Sequence, residues 1–143
     1  MKRSYFCFLF LLFLLPSCLP DRSDKEETSD SDIDAARNFI QAALKGNYND
    51  AKKFMLNDTE NVERMDAASR IQRSPDEKQG LWDASINIHE RKLLNDSTSI
   101  IIYSNSYYKD NKDTLKVVKR NGNWLVDFKY LFKHDDSLPA SGK

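Results

Sequence analysis

Two histidines, His89 and His134, and a scatter of carboxylates are the residues here that could shuttle a proton or hold a metal. The histidines lie far apart and fit no metal-ligand spacing. His134-Asp135-Asp136 is a run of three adjacent polar residues near the C-terminus, without the rigid support a metal site needs. His89 stands between Ile88 and Glu90. If Ile86 and Ile88 face a core, strand alternation turns His89 outward. The same parity turns Asp127, between Val126 and Phe128, away from its aromatic neighbours. Asp83, beside Trp82, reads as a helix-end or turn acid. The four glycines, Gly46, Gly80, Gly122 and Gly142, are isolated, so no phosphate-cradling loop exists. Neither a catalytic set nor a cofactor motif emerges, and the expectation is a protein without cofactor or metal.

The aromatic residues carry more promise. Trp82, Tyr103, Tyr107, Trp124 and Tyr130 combine apolar area with one polar handle each. Ligand sites are mostly apolar with a few placed polar groups, so these five are the candidate lining of a ligand cavity. The competing reading makes them ordinary core. Lys116, Arg120, Lys129 and Lys133 form a basic stripe, read as a solvated face that protects the sheet from edge-to-edge pairing.

Size and charge bound the remaining choices. The chain has 143 residues, one domain's worth. Its 22 Lys+Arg balance 22 Asp+Glu, which argues against a nucleic-acid partner. Two cysteines cannot make a disulfide framework.

The N-terminus reads as an address. Lys2 and Arg3 precede 11 apolar residues, Tyr5 to Leu15. A spanning helix needs about 20, so the run suits a signal peptide over residues 1–17. Leu15-Pro16-Ser17-Cys18 resembles the lipobox of bacterial lipoproteins. The resemblance implies a lipid on the Cys18 sulfur, cleavage before it, and acylation of the new amine. Several acyl chains together anchor stably, where a single one is marginal. Residues 19–32 hold six acids and two bases with one large apolar residue, Leu19. Such a stretch cannot bury enough surface to offset its ordering. Residues 18–32 therefore read as lipidated cysteine plus acidic tether. Lys25-Glu26-Glu27 resembles the Lys-plus-acid signals of surface-directed Gram-negative lipoproteins.

The remaining sequence must position any site. Ile33 to Lys45 has helical periodicity, with Ile33, Ala36, Ile40, Ala43 and Leu44 on one face, Phe39 beside them, and Gly46 as its stop. Asp32 or Ser31 can cap it. A short helix with Asn49 as cap buries Ala51, Phe54 and Met55. A third spans about Glu60 to Gln72, and Pro75 opens a further turn closed by Gly80. After Trp82 the period becomes two. Strands are expected over Ile86–Leu93, Ser97–Tyr108 and Thr114–Arg120. Asn121-Gly122 signals a type I′ hairpin, and a last strand carries Trp124, Val126, Phe128, Tyr130 and Phe132 on one face. Helices followed by strands indicate an α+β fold, with N-terminal helices packed on a four-stranded antiparallel meander.

Ala36-x-x-Phe39-x-x-Ala42-x-x-x-Gly46-Asn47-Tyr48-x-x-Ala51 resembles the opening helical pair of nuclear-transport-factor-2-like domains. Asn121-Gly122-x-Trp124-Leu125-Val126 resembles their closing hairpin. The similarity extends to small bacterial lipoproteins and covers residues 33–132, leaving 133–143 as a flexible tail. It implies a cone-shaped domain whose curved sheet wraps the helices and leaves a cavity. The superfamily includes ketosteroid isomerases, polyketide cyclases and non-catalytic binders, so fold alone selects no activity. The expectation is a non-catalytic binding or interaction domain, membrane-bound through lipid on Cys18. It would sit in a Gram-negative cell envelope, at the outer membrane, with a small molecule, peptide or envelope protein as partner. The alternative is a small cavity enzyme of isomerase or cyclase type.

Replacing Cys18 by alanine is expected to abolish incorporation of a clickable palmitate analogue and to release the protein from washed membranes. Labelling that persists in Cys18→Ala defeats the anchor.

Overall fold

A computed structural model of the chain describes residues 29–131. Four helices come first: α1 (Asp32–Leu44), α2 (Tyr48–Lys53), α3 (Thr59–Ser69) and α4 (Pro75–Trp82). Four strands follow: β1 (Ile86–Asn95), β2 (Thr98–Asn105), β3 (Asp113–Arg120) and β4 (Asn123–Asp127). They form one antiparallel sheet in the order β1-β2-β3-β4. This is the α+β meander that the change of period implies. The expected signal peptide, Cys18, most of the expected acidic tether and residues 132–143 lie outside the described residues.

Local chemistry sets the helix ends. The Ser31 hydroxyl accepts from the Asp34 N–H and so caps α1; Asp32 is the first helical residue rather than the cap. Gly46, at φ 74°, stops the helix in the left-handed conformation. Its N–H reaches the Ala43 carbonyl and that of Asn47 reaches Ala42. This crossed pair satisfies carbonyls that the helix end would otherwise orphan. Asn47, not Asn49, takes the N-cap position of α2, without a side-chain cap. Asp58 caps α3. Ser74 caps α4, with Pro75 in its first turn. α4 continues through Gly80 to Trp82 instead of stopping at the glycine.

The core lies between α1 and the sheet. Ala35, Ala36, Phe39 and Ile40 of α1 are buried; the small pair lets the helix sit close to the strands. Ile101, Leu115, Val117 and Val126 face it from three strands and are fully enclosed. Opposite partners in an antiparallel pair share a face, and Ile101↔Leu115 and Val117↔Val126 are such pairs. Phe39 and Phe128 meet at 5.3 Å between ring centroids. At the β3–β4 turn Asn121 and Gly122 have φ of 51° and 89°, the two positive angles a type I′ hairpin requires. The β4 edge is covered in part by residues 54–56: the Val126 N–H donates to the Phe54 carbonyl and the Leu56 N–H to that of Val126.

The last strand is shorter than its alternation suggests. It stops at Asp127, and a turn at Phe128 leads into helical residues 129–131. The cause is a polar knot. Asn61 of α3 is fully buried. Its Oδ1 accepts from the Lys129 N–H at 2.8 Å, and its Nδ2 donates to Asp58 at 2.7 Å and to Asp127 at 3.2 Å. Lys129 Nζ closes the knot on Asp58 (2.7 Å) and Asp127 (3.0 Å). The hydrogen bond from Lys129 and the Asn61 N–H hold the Asp58 carboxyl down at about 2. Tyr130 therefore leaves the strand, and its ring lies 5.8 Å from Lys116 Nζ.

A second polar element joins α1 to the sheet. A bulge between Ile88 and Glu90 shifts the phase of β1, so Arg91 opposes Ile101 on the core face. Its Nε donates to both oxygens of Asp32, at 3.0 and 2.8 Å. Asp32 is only 1% exposed. Burial pushes its carboxyl up, but the Arg91 hydrogen bonds and charge and the Ile33 N–H outweigh burial and leave it lowered. The Ser99 hydroxyl is close enough to help electrostatically, though it finds no hydrogen-bonded partner among the described residues.

A lowered carboxyl contributes stability that is present above its unfolded value near 3.8 and lost as pH falls through the folded one. Arg91→Ala leaves only the Ile33 N–H and Ser99 against burial, so the carboxyl rises relative to the native protein and less of its stability remains above its titration range. Urea unfolding of the variant at pH 7 is expected to show a lower midpoint than the native protein, by less than loss of a fully buried pair would give because the guanidinium is wet. The deficit should shrink toward pH 4; a pH-independent deficit disproves the pairing account.

Candidate functional site

A cavity of about 280 Å³ opens between the helices and one end of the sheet. Its walls are apolar: Phe39, Ile40 and Leu44 from α1, Met65 from α3, Leu81 from α4, and Phe128 from the turn after β4. Phe128 is there because the Asn61 knot ends β4 one residue earlier.

The inner polar end is built by strand register. Tyr103 alternates with Ile101 onto the core face of β2, and Asp113 opposes it on β3. The phenol hydrogen-bonds the Asp113 carboxylate. Burial, then the charge of Asp113, pushes the Tyr103 hydroxyl far above an ordinary phenol. Tyr103 is thus a fixed donor and not an acid that releases its proton near neutrality. Asn105, also lining the cavity, spends its Oδ1 on the N–H groups of Tyr107 and Tyr108. Its amide N–H donors are what remain to offer a ligand.

The mouth is a chain of polar groups. Arg73 donates to the Tyr48 hydroxyl at 2.8 Å and approaches Glu77 at 3.4 Å. The Tyr108 hydroxyl donates to the same Glu77 oxygen at 2.8 Å, which raises its pKa. Tyr108 comes from the β2–β3 connection and Glu77 from α4, so this bond ties loop to helix across the opening. Tyr107 reinforces it. A Cβ added at Gly80 would lie 2.2 Å from the Tyr107 ring. The glycine that α4 carries mid-helix is the seat of that ring.

The five aromatic candidates separate. Tyr103 lines the cavity. Tyr107 lies on α4 at the rim, 42% exposed. Trp82 is 51% exposed and flanks a neighbouring groove, with Lys45 Nζ 5.5 Å from its ring. Trp124 lines a different groove along the β4 edge. Tyr130 lies by Lys116 on the opposite sheet face. His89 is exposed and meets Ser104 at 2.8 Å on that opposite face. Asp127 belongs to the Asn61 knot, and Asp83 accepts from Gln79 at the end of α4. The cavity-lining polar residues that the sequence reading missed were Tyr48, Arg73, Glu77, Asn105, Tyr108 and Asp113. Only Arg73 and Glu77, four apart on the α4 approach, carried a local signal.

Among the described residues no cluster of His, Cys, Asp or Glu could hold a metal ion. No described helix is long and apolar enough to cross a membrane. No protein-family model, curated protein or solved structure matches the chain.

Gly80→Ala is expected to destabilise the protein by about 1–3 kcal/mol in urea unfolding, the range for inserting a methyl into packed space. Adding Tyr107→Ala should recover most of that loss. A neutral Gly80→Ala would mean that the ring is not held against α4.

Proposed function

We propose that this chain is a lipid-anchored protein of the bacterial cell envelope whose domain binds a small, largely apolar molecule without transforming it. One observation carries the binding half: an open cavity with mostly apolar walls and a few hydrogen-bonding groups in its lining. Such a lining suits a ligand with an apolar body and one or two polar groups. The anchoring half rests on the basic, apolar and lipobox-like N-terminal segment. The likeness of the helical pair and last hairpin to nuclear-transport-factor-2-like domains agrees with a cavity in this place.

The non-catalytic reading follows from the cavity's titratable groups. Tyr103 holds its proton too tightly to be a general acid. Glu77 is engaged by Arg73 and Tyr108, and His89 lies elsewhere. Asp113 favours the second reading, a cavity enzyme of isomerase or cyclase type, since a carboxylate at the end of an apolar cavity is a reasonable base.

Native protein extracted in mild detergent and then denatured is expected to release a small molecule in near-stoichiometric amount by mass spectrometry. Ala68→Phe, which adds a ring at the cavity wall, should lower that amount at least tenfold while keeping the thermal midpoint within a few degrees. Equal recovery from both proteins, or none from either, sinks the binding proposal. A chemically altered product formed by wild type and not by Asp113→Asn would establish the enzyme instead.

A further inference from the structure

A second concave surface lies away from the cavity, along the β4 edge, with a volume of about 480 Å³. Its lining has an unusual composition. Asn49, Asn57, Asn121 and Asn123 face it, and none of these four side-chain amides hydrogen-bonds another described residue. Only Asn121 has positive φ, so backbone conformation does not demand asparagine at the other three. Lys52, Lys53 and Arg120 are the charged residues of the lining, and no carboxylate is among them. Lys52 and Lys53 are offset from outside the groove by Asp66 at 2.6 Å and Asp50 at 3.0 Å. Among the described residues Arg120 has no such acid; its Nη1 makes one long bond, 3.3 Å, to the Lys119 carbonyl. Lys119 Nζ lies 5.7 Å from the Trp124 ring, which also lines the groove.

We propose that this groove binds an acidic oligosaccharide. A primary amide presents a donor and an acceptor side by side, the complement of adjacent sugar hydroxyls. The Trp124 indole is only 8% exposed and belongs to the core, so with Leu125 it gives a sugar ring a small apolar floor and not a stacking face. A guanidinium fork matches a carboxylate in bidentate fashion, which a lysine does not. A protein partner would be expected to find more apolar area, and a lone inorganic anion would leave the four amides unused. The inference does not depend on the cavity or on the lipid anchor.

The test uses the full chain in detergent micelles, labelled with ¹⁵N and titrated with tetragalacturonate, maltotetraose and inorganic phosphate. Tetragalacturonate is expected to shift the amides of Asn57 and of residues 120–125 saturably. Maltotetraose should bind at least several-fold more weakly. Arg120→Glu is expected to weaken tetragalacturonate binding about tenfold or more, the loss of one charge-assisted hydrogen bond. Asn57→Ala with Asn123→Ala should weaken it while leaving Arg120 in place. Four results overturn the proposal: no saturable shift at millimolar sugar, equal binding of maltotetraose, unchanged affinity in Arg120→Glu, or phosphate competing as well as the sugar. An unchanged spectrum outside the groove in each variant keeps misfolding from passing as lost binding.

Discussion

A single buried amide decides where this sheet ends. Asn61 has no access to water, so each of its hydrogen-bonding groups must find a partner in the protein. It finds them in Asp58, Asp127 and the backbone N–H of Lys129. Taking the Lys129 N–H turns the chain out of the β4 ladder. Phe128 then faces Phe39 at the cavity wall rather than continuing an edge strand. Removing the Asn61 side chain would strand two carboxylates beside one ammonium and leave a buried N–H without an acceptor, a cost on the order of 1–3 kcal/mol for the N–H alone.

Asp32 and Arg91 show the same logic from the other end of the core. The acid lies in the first turn of α1, where the helix dipole already favours a negative charge. The guanidinium reaches it only because the bulge beside His89 moves Arg91 to the core face. The bulge thus serves two ends: it twists the exposed edge of β1 and supplies the cation that a nearly dry carboxylate requires. Without it the alternation of β1 would present Glu90 to Asp32, two like charges facing each other across a core.

These two knots explain what sequence reasoning could reach. Helix order, the meander, the glycine stop at Gly46 and the Asn121-Gly122 turn were legible, because each is written in local periodicity or in residues that tolerate positive φ. The extent of β4 was not. Alternation from Trp124 to Phe132 is a local signal, and the hydrogen bond that ends the strand comes from a helix more than sixty residues earlier. Gly80 misled for a related reason: a mid-helix glycine reads as a stop until the Tyr107 ring that needs its missing side chain is in view. For the cavity, the Asn121-Gly122 hairpin fixes only the β3–β4 register, and the pairing of Tyr103 with Asp113 depends on the longer β2–β3 connection. The rim residues Tyr48 and Tyr108 come from separate segments, and no spacing links them.

The cavity itself follows from how little the helices can cover. α1 packs mainly on β3 and β4, with Ala35 and Ala36 fully buried on it. α4 is only 8 residues long and meets the sheet through the β2–β3 connection rather than by packing on the strands. The gap that remains is lined by Met65, Leu81, Phe128 and Tyr103, from α3, α4, the turn after β4 and β2. The polar groups of its lining, Tyr48, Arg73, Glu77, Asn105, Tyr108 and Asp113, are held largely by one another or by Tyr103. Selectivity for one ligand over another would then depend on those groups, since an unmet donor or acceptor is costly. The apolar walls would contribute affinity with little discrimination.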